Sequence, residues 1–199
     1  MASKVDICNR ALSYLGANLI SSFDENTKPA QFCRLFYDDV LEELLRTHPW
    51  NFATKRVALN SVEYPMTDSL TAFQLPADCL KPLTNAYNPQ IQYDIEGEYL
   101  LTNESTFTLV YVAMIEDVNK YDTMFRKELS MALALELCPS LTNSSTRQQE
   151  LKAEFNEQRM LTQNADSQDD NVVNYLMEGD MLNVRHGYSD GLNKNIKTY

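Results

Sequence analysis

The chain has 199 residues, of which 44% are hydrophobic, and a formal net charge of −11 at pH 7. This is enough for one sizeable core with an insertion and a tail. The excess of acidic residues argues against a protein that binds nucleic acid through its phosphates, because such a protein needs clustered Lys and Arg. The longest apolar run, around Met131–Leu137, is far shorter than the roughly 20 residues of a membrane span. Lys4 and Asp6 stand where a signal peptide would be apolar, so we expect synthesis in a cytoplasm without secretion.

The four cysteines lie far apart in the sequence: Cys8, Cys33, Cys79 and Cys138. All but Cys79 fall on predicted helices among apolar neighbours, which indicates buried free thiols in a reducing compartment. A zinc site would need paired cysteine spacing together with histidines, and the chain has only His48 and His186. We therefore expect no metal and no cofactor.

Two amphipathic helices open the chain. Ser3 and Asp6 form a capping box at the start of the first helix, and Gly16 is its natural stop. Thr27 and Pro29 begin the second helix, since proline is tolerated in a first turn. Its buried side is predicted from apolar residues at three- and four-residue steps: Ala30, Cys33, Phe36, Tyr37, Val40, Leu41, Leu44 and Leu45.

An aromatic corner follows the second helix. Pro49 ends that helix, because the residue before a proline is pushed out of the helical region. Trp50, the only tryptophan, and Phe52 follow at once, and we expect Trp50 to be buried against the ends of the first and third helices. The predicted structural core combines this corner with the helices: Leu12, Phe36, Leu44, Trp50, Phe52, Phe125 and Leu129.

The apolar period drops from 3.6 towards 2 between about residues 55 and 115. Strands are predicted at Val57–Leu59, Phe73–Leu75, Ile91–Ile95, Glu98–Leu101 and Thr106–Val112. The last three are expected to pair in succession as a β-meander, and all five to form one antiparallel sheet. Pro76, Pro82 and Pro89 are expected to keep the intervening segment irregular.

The helical period returns near Tyr121. The third helix is hydrophobic on most sides and is expected to end at Pro139. A fourth helix is predicted to begin at Asn143–Thr146. Its apolar stripe is thin, which predicts a solvated or partner-facing helix: Leu151, Ala153, Phe155 and Leu161.

The chain changes character again after Ala165. Asp166, Asp169 and Asp170 stand among Ser and Gln, a composition typical of a linker. The apolar residues beyond it show no clean period, yet they are too many for a free linker. They either pack on the chain's own domain or bind a partner, and we predict a partner interface: Val172, Val173, Tyr175, Leu176, Met177, Met181 and Leu182.

These patterns together predict an α+β fold. It is a four-helix-type bundle with a small antiparallel β-sheet inserted between helices two and three, plus an extended C-terminal tail. Residues 1–54 and 116–165 are assigned to the bundle, residues 55–115 to the inserted β-meander, and residues 166–199 to the tail.

Several segments of the chain resemble the head–tail adaptor family of short-tailed bacteriophages, the tail tubular protein A type. The most specific segment is His48-Pro49-Trp50-Asn51-Phe52-Ala53. The resemblance covers roughly residues 3–165 and includes Phe36-Tyr37, Leu44-Leu45, Arg56, Ile7-Cys8-Asn9-Arg10-Ala11-Leu12 with Leu15-Gly16, Phe73-Gln74-Leu75-Pro76-Ala77-Asp78-Cys79-Leu80, and Tyr111 ahead of a long apolar helix.

The resemblance implies a structural protein of the virion neck and tail, assembled in the host cytoplasm. In this family the adaptor is a ring, twelvefold, that bridges the portal protein to the tail nozzle protein and continues the DNA channel. Tail fibres are a further candidate partner. The acidic charge of this chain suits a channel that DNA passes through without tight binding, because like charges repel.

Catalysis is not expected. Neither histidine is accompanied by a nucleophile motif, and the chain has no Gly-rich phosphate loop. Two alternatives from other classes stay open. Paired carboxylates would suit a glycan hydrolase of the host envelope, and the charge alone would suit an acidic regulator or DNA mimic: the pairs are Asp38/Asp39, Glu42/Glu43 and Asp169/Asp170.

Overall fold

The computed structural model describes residues 2–63, 70–83 and 91–170. This part of the chain contains four α-helices and seven strands in two antiparallel sheets, so the predicted α+β class is confirmed. By its internal contacts the chain divides into two units, Met1–Thr162 and Gln163–Tyr199. The core and the surfaces described below belong to the first unit.

Helix α1, Lys4–Tyr14, begins and ends where the sequence predicts. The Ser3 hydroxyl accepts a hydrogen bond from the backbone N–H of Asp6 at 3.1 Å, and the Asp6 carboxylate accepts one from the backbone N–H of Ser3 at 2.8 Å. Gly16 follows the helix with φ +64°. A side chain there would be strained, so glycine is the residue that lets the last turn close.

Helix α2, Lys28–Thr47, is capped by Thr27 and carries Pro29 in its first turn, as predicted. Its last helical residue is followed by His48 in an extended conformation, which the next residue, Pro49, enforces. The helix buries one apolar stripe along its whole length, and this stripe is the main support of the helical core: Ala30, Cys33, Tyr37, Val40, Leu41, Leu44 and Leu45.

Helices α3, Thr123–Leu141, and α4, Ser145–Asp170, both run further than predicted. Pro139 does not end α3 at once: the helix runs two residues further, to Leu141, and gives up only the one N–H bond that a non-proline residue would make to the preceding turn. The aspartates from Asp166 onward continue α4 and are not a linker. Extending an existing helix by one residue costs little free energy, because the nucleus is already formed. The linker-like composition of these residues therefore did not predict where the helix ends.

Seven short strands lie between α2 and α3 in chain order: β1 Thr54–Leu59, β2 Ser61–Val62, β3 Thr71–Gln74, β4 Cys79–Pro82, β5 Asp94–Glu96, β6 Tyr99–Thr102 and β7 Phe107–Ala113. The expectation of one sheet with a β-meander is wrong. Strands β5 and β6 do pair, but β7 leaves them for a separate sheet of order β1-β7-β4, and the other sheet has order β2-β3-β6-β5. Six of the seven residues of β7 are buried. Strand β7 is therefore a central strand with both faces covered, whereas the last strand of a meander would have one face exposed to solvent.

Strand β4 was not predicted, because Pro82 argued for irregular structure. In the structure Pro82 lies opposite Tyr111 at the end of β4, and β4 is an edge strand of its sheet. An edge position leaves one side of the backbone without a ladder partner, so the missing N–H of proline is tolerated there.

The aromatic corner joins helices to sheet. Trp50 is only 1% exposed, its ring meets Phe125 of α3 edge-on at 4.9 Å, and its indole N–H donates to the Leu44 carbonyl at 3.1 Å. Phe52 packs on the same Phe125 ring at 4.8 Å, and Tyr121 at 5.3 Å. One phenylalanine at the start of α3 therefore holds together the residues that follow α2.

Candidate interaction surface around the fourth helix

Helix α4 is tied at its beginning to the end of α1. The guanidinium of Arg147 donates two hydrogen bonds, both of 3.1 Å, to the backbone carbonyl of Tyr14. The same group pairs with Glu150 at 3.1 Å and with Glu154 at 3.4 Å. Arg147 thus satisfies a carbonyl at the end of α1 that has no partner within its own helix.

The inward face of α4 changes character along its length. Leu151 is fully buried and Phe155 is half-buried, whereas the next inward positions are the buried polar residues Gln158 and Thr162. The side-chain amide of Gln158 donates to the Thr162 hydroxyl at 3.0 Å, and this hydroxyl donates to the backbone carbonyl of Gln158 at 2.9 Å. The later half of this face therefore buries hydrogen-bonded polar groups where a core helix would bury apolar ones.

A carboxylate of α3 lies within the polar part of this contact. Glu128 is fully buried, and neither of its carboxylate oxygens has a hydrogen-bond partner. Burial raises the pKa of Glu128 to about 7, although Thr162 and Arg159 nearby oppose the rise. A group of this kind destabilises the contact whenever it ionises.

A groove runs along each side of α4. The groove towards α1 has a volume of about 340 Å³, and its lining is acidic and apolar: Tyr14, Lys127, Met131, Glu154, Glu157, Gln158 and Leu161. The groove towards α2 is smaller, about 140 Å³, and more enclosed: Val40, Glu43, Leu44, Thr47, Ala132, Leu135, Glu136, Phe155 and Arg159. Helix α4 is therefore a ridge with a recess on either side.

Two large apolar side chains of α4 are mostly exposed to water, and one of them, Leu161, also lines the groove towards α1. Met160 is 62% exposed and Leu161 is 52% exposed. The predicted apolar stripe of α4 is wrong at Leu161 and at Ala153, which is also exposed. The inward positions recur at steps of four, three and four residues, and Leu161 falls beside this stripe rather than on it: Leu151, Phe155, Gln158 and Thr162.

The two sheets carry an acidic region. Residues 82–119 contain six acidic residues and no Lys or Arg. Three of these acids, Asp94, Glu96 and Glu98, belong to the exposed β5–β6 hairpin at the edge of the four-stranded sheet. This edge therefore carries three acids within a stretch of sequence that contains no Lys or Arg.

The predicted core residues fall into two groups. Leu12, Leu44, Trp50, Phe125 and Leu129 are buried. Phe36 and Phe52 are only partly buried and pack against the core from its margin. The residues predicted to bind a partner lie outside the described part of the chain: Val172, Val173, Tyr175, Leu176, Met177, Met181 and Leu182.

The paired carboxylates of α2 are spread along its exposed face. Asp38 pairs with Lys4 at 3.0 Å, and Glu42 lies 3.8 Å from Arg46. The ring of His48 packs against Trp50 at 4.7 Å. Within the described ranges, no group of three or more His, Cys, Asp or Glu side chains is placed to hold a metal ion.

Glu128 is not among the residues predicted to be functional, although its position in the sequence carries a signal. Glu128 stands between Met124 and Met131 at helical spacing on a helix that is hydrophobic on most sides. An acid at such a buried position either costs stability or has a function, so it can be singled out from the sequence as a candidate functional residue.

Comparison of the chain with protein-family models gives no match, and comparison with curated proteins gives none either. Every helix in the described residues is too short or too polar to span a bilayer.

Proposed function

We propose that this chain is a structural subunit of the phage head–tail adaptor type, which assembles into a ring between a portal protein and a tail nozzle protein. The observation that carries the proposal is the ridge formed by α4. It has exposed Met160 and Leu161 outside, polar groups inside and a recess on each side. A helix of this kind is built to meet another protein surface, since large apolar side chains clustered in water mark interaction sites.

The proposal extends to the architecture. The two sheets are an insertion between the second and third helices of a four-helix-type bundle, and the C-terminal tail is the part of the chain that follows α4, residues 171–199. The apolar residues of that tail bind the portal protein or a neighbouring subunit, by strand addition or by insertion into a groove. Tail fibres are a further candidate partner, and the place of action is the virion neck.

The acidic β5–β6 hairpin supports the same function from a different side. A DNA channel must let the duplex slide without capturing it, and negative surfaces repel phosphate. The exposed acids of this hairpin, Asp94, Glu96 and Glu98, would contribute to such a surface. The same stretch also favours the second candidate, an acidic DNA mimic, which would compete with DNA for a partner.

Assembly of the purified chain tests the proposal. Sedimentation velocity over a range of concentrations, alone and with the cognate portal protein, is expected to show a ring or a complex with the portal protein. Met160→Glu should weaken this assembly strongly, because it places a charge in the apolar contact. Leu19→Glu is the matched control, since Leu19 is also 62% exposed and lies away from α4 in the sequence.

Three outcomes would count against the adaptor. A chain that stays monomeric under all these conditions contradicts it. Hydrolytic turnover of envelope glycan by a monomer supports the enzyme instead. A monomer that displaces DNA from a host protein supports the DNA mimic. The interface is tested separately: equal loss of assembly in Met160→Glu and Leu19→Glu would show that α4 is not the interface.

A further inference from the structure

Two outer strands of the sheets carry opposite charges. Strand β1 borders the sheet of order β1-β7-β4, and β5 borders the sheet of order β2-β3-β6-β5, so within the described residues each has a strand neighbour on one side only. The open side of an outer strand presents a row of backbone N–H and C=O groups, with which a strand from another chain can pair. We call these two sides the β1 edge and the β5 edge.

The β1 edge is basic. Lys55 and Arg56 are neighbours in the strand and both are exposed, so β1 meets water on both of its faces. Residues 44–62 contain these two cations and Arg46 but no Asp or Glu. The Lys55 ammonium already lies 2.6 Å from the Asp78 carboxylate. Arg56 is therefore the principal cation of this edge.

The β5 edge is acidic, with an apolar residue at its centre. Asp94, Ile95 and Glu96 are all exposed, and Ile95 is 44% exposed. Opposite charges on neighbouring strands stabilise their pairing, and like charges oppose it. The charges of the two edges therefore disfavour pairing of β1 with β1 or of β5 with β5, and they favour pairing of β1 with β5.

The two other outer strands are less suited to pairing with a second chain. Strand β4 ends at Pro82, which has no N–H, and its register shifts between Cys79 and Lys81. The Lys81 ammonium also donates to the Arg46 carbonyl at 3.3 Å, which places the end of α2 beside this strand. Strand β2 has only two residues, Ser61–Val62. The β1 edge and the β5 edge are therefore the ones that a second chain can extend.

We propose that copies of this chain join head to tail, with the β1 edge of one copy paired to the β5 edge of the next. The contact adds a strand to each sheet, so backbone hydrogen bonds supply the attachment and the charges select the partner. Each copy in such a pair still offers one unused edge, so the contact repeats, and it gives a ring where the rotation between copies closes. The inference rests on the proposed function, because it names the contact that builds the ring.

The topology separates the two edges on one copy. Strand β2 follows β1 after a single intervening residue, and β5 lies three strand spacings from β2, roughly 14 Å. One copy can therefore contact two neighbours at the same time, as a ring requires.

The joined edges keep a negative charge. The acids of the β5–β6 hairpin, Asp94, Glu96 and Glu98, outnumber the two cations of β1. The contact is therefore compatible with a channel surface that repels DNA.

Charge reversal at the two edges, followed by mixing, tests the contact by sedimentation velocity. Arg56→Glu makes the β1 edge acidic, and the double variant Asp94→Lys/Glu98→Lys makes the β5 edge basic. Each variant alone should self-associate roughly 100-fold more weakly than the natural chain, because like charges then face each other. An equimolar mixture of the two should assemble again, since the reversed β1 edge of one fits the reversed β5 edge of the other.

Two matched controls reverse an exposed charge on α2 instead of on a sheet edge: Arg34→Glu and Asp39→Lys. Both should assemble like the natural chain. All variants should melt within about 3 °C of the natural chain, because substitutions of exposed residues rarely change stability. Raising the ionic strength from about 50 to about 500 mM should weaken assembly of the natural chain, since salt screens exposed charges.

The results separate this contact from the adaptor function. Equal assembly of the natural chain and both edge variants, alone or with the portal protein, would overturn the contact and leave the adaptor proposal standing. A mixture that stays unassembled would also overturn the contact, and a natural chain that never assembles would overturn both proposals. If Arg56→Glu weakens binding of a short DNA duplex but not self-association, the β1 edge binds DNA instead of a second copy.

Discussion

The aromatic corner and the contact beneath α4 are both buried, but they are built in opposite ways. At the corner Trp50, Phe52 and Phe125 fill the space with rings, and the polar atoms of Trp50 and Tyr121 each have a carbonyl partner. Beneath the later half of α4 the buried groups are polar, and neither oxygen of the Glu128 carboxylate accepts a hydrogen bond of normal geometry, although Thr162 and Arg159 lie nearby.

This difference separates two uses of burial. Apolar packing with satisfied hydrogen bonds stabilises a fold, whereas a buried unpaired acid opposes it. The corner therefore holds the molecule together, and the later half of α4 is held less tightly than its burial suggests. A helix that meets partners benefits from such a contact, because it can adjust without unfolding the core.

Removing the tryptophan should have the largest effect. Trp50→Ala is expected to reduce the free energy of unfolding by about 3–5 kcal/mol, because it leaves a cavity against Phe125 and removes the indole hydrogen bond to the Leu44 carbonyl. Urea unfolding at neutral pH measures this. Leu35→Ala, at a site 61% exposed, is the control and should stay within about 0.5 kcal/mol of the natural chain. Equal effects would mean that the corner is not the stabilising region.

Neutralising the buried acid should act in the other direction. The pKa of Glu128, about 7, lies above its ordinary 4.5. Its neutral form is the one the fold favours, so the associated stability is complete below pH 4.5 and is lost as the pH rises towards 7 and beyond. Glu128→Gln should therefore stabilise the chain by up to about 3 kcal/mol at pH 8 and by little at pH 4.

Urea unfolding of both chains at the two pH values measures this difference. Glu157→Gln is the matched control, because Glu157 is an exposed acid that lines the groove towards α1. A gain at pH 8 that is the same for both variants, or absent from Glu128→Gln, would mean that the buried carboxylate does not weaken the contact.

Loosening the start of α4 should have the smallest effect of the three. Arg147→Ala removes two charged hydrogen bonds to the Tyr14 carbonyl, and since Arg147 is partly exposed the loss is expected to be about 1 kcal/mol. Hydrogen exchange should speed up in α4 and in the last turn of α1, but not at the aromatic corner. Lys152→Ala, at an exposed site on the same helix, should leave these rates unchanged.

The parts that sequence predicts well are set by neighbours in the chain. The capping box at Ser3, the stop at Gly16 and the turn at Pro49 each depend on a few adjacent residues, and all three are present. Strand pairing is different, because β7 reaches β1 and β4 across more than 25 residues. Alternation of apolar residues says that a strand exists but not which strand it joins.

The candidate surface was predictable only in outline. The thin apolar stripe of α4 indicates a helix that buries fewer apolar residues than the others do. The stripe was nevertheless wrong at Leu161, which is exposed. Glu128 was the exception, since an acid at helical spacing between two methionines is visible in sequence.

The bond from Arg147 to Tyr14 joins residues 133 positions apart, and this spacing has a consequence during synthesis. Helix α1 leaves the ribosome with its apolar face uncovered. Its partners on α3 and α4 emerge only later, about ten seconds or more at the usual rate of translation. During that interval the apolar face of the first helix must be covered either by a chaperone or by the second helix, which emerges first and already contacts it through Lys4 and Asp38.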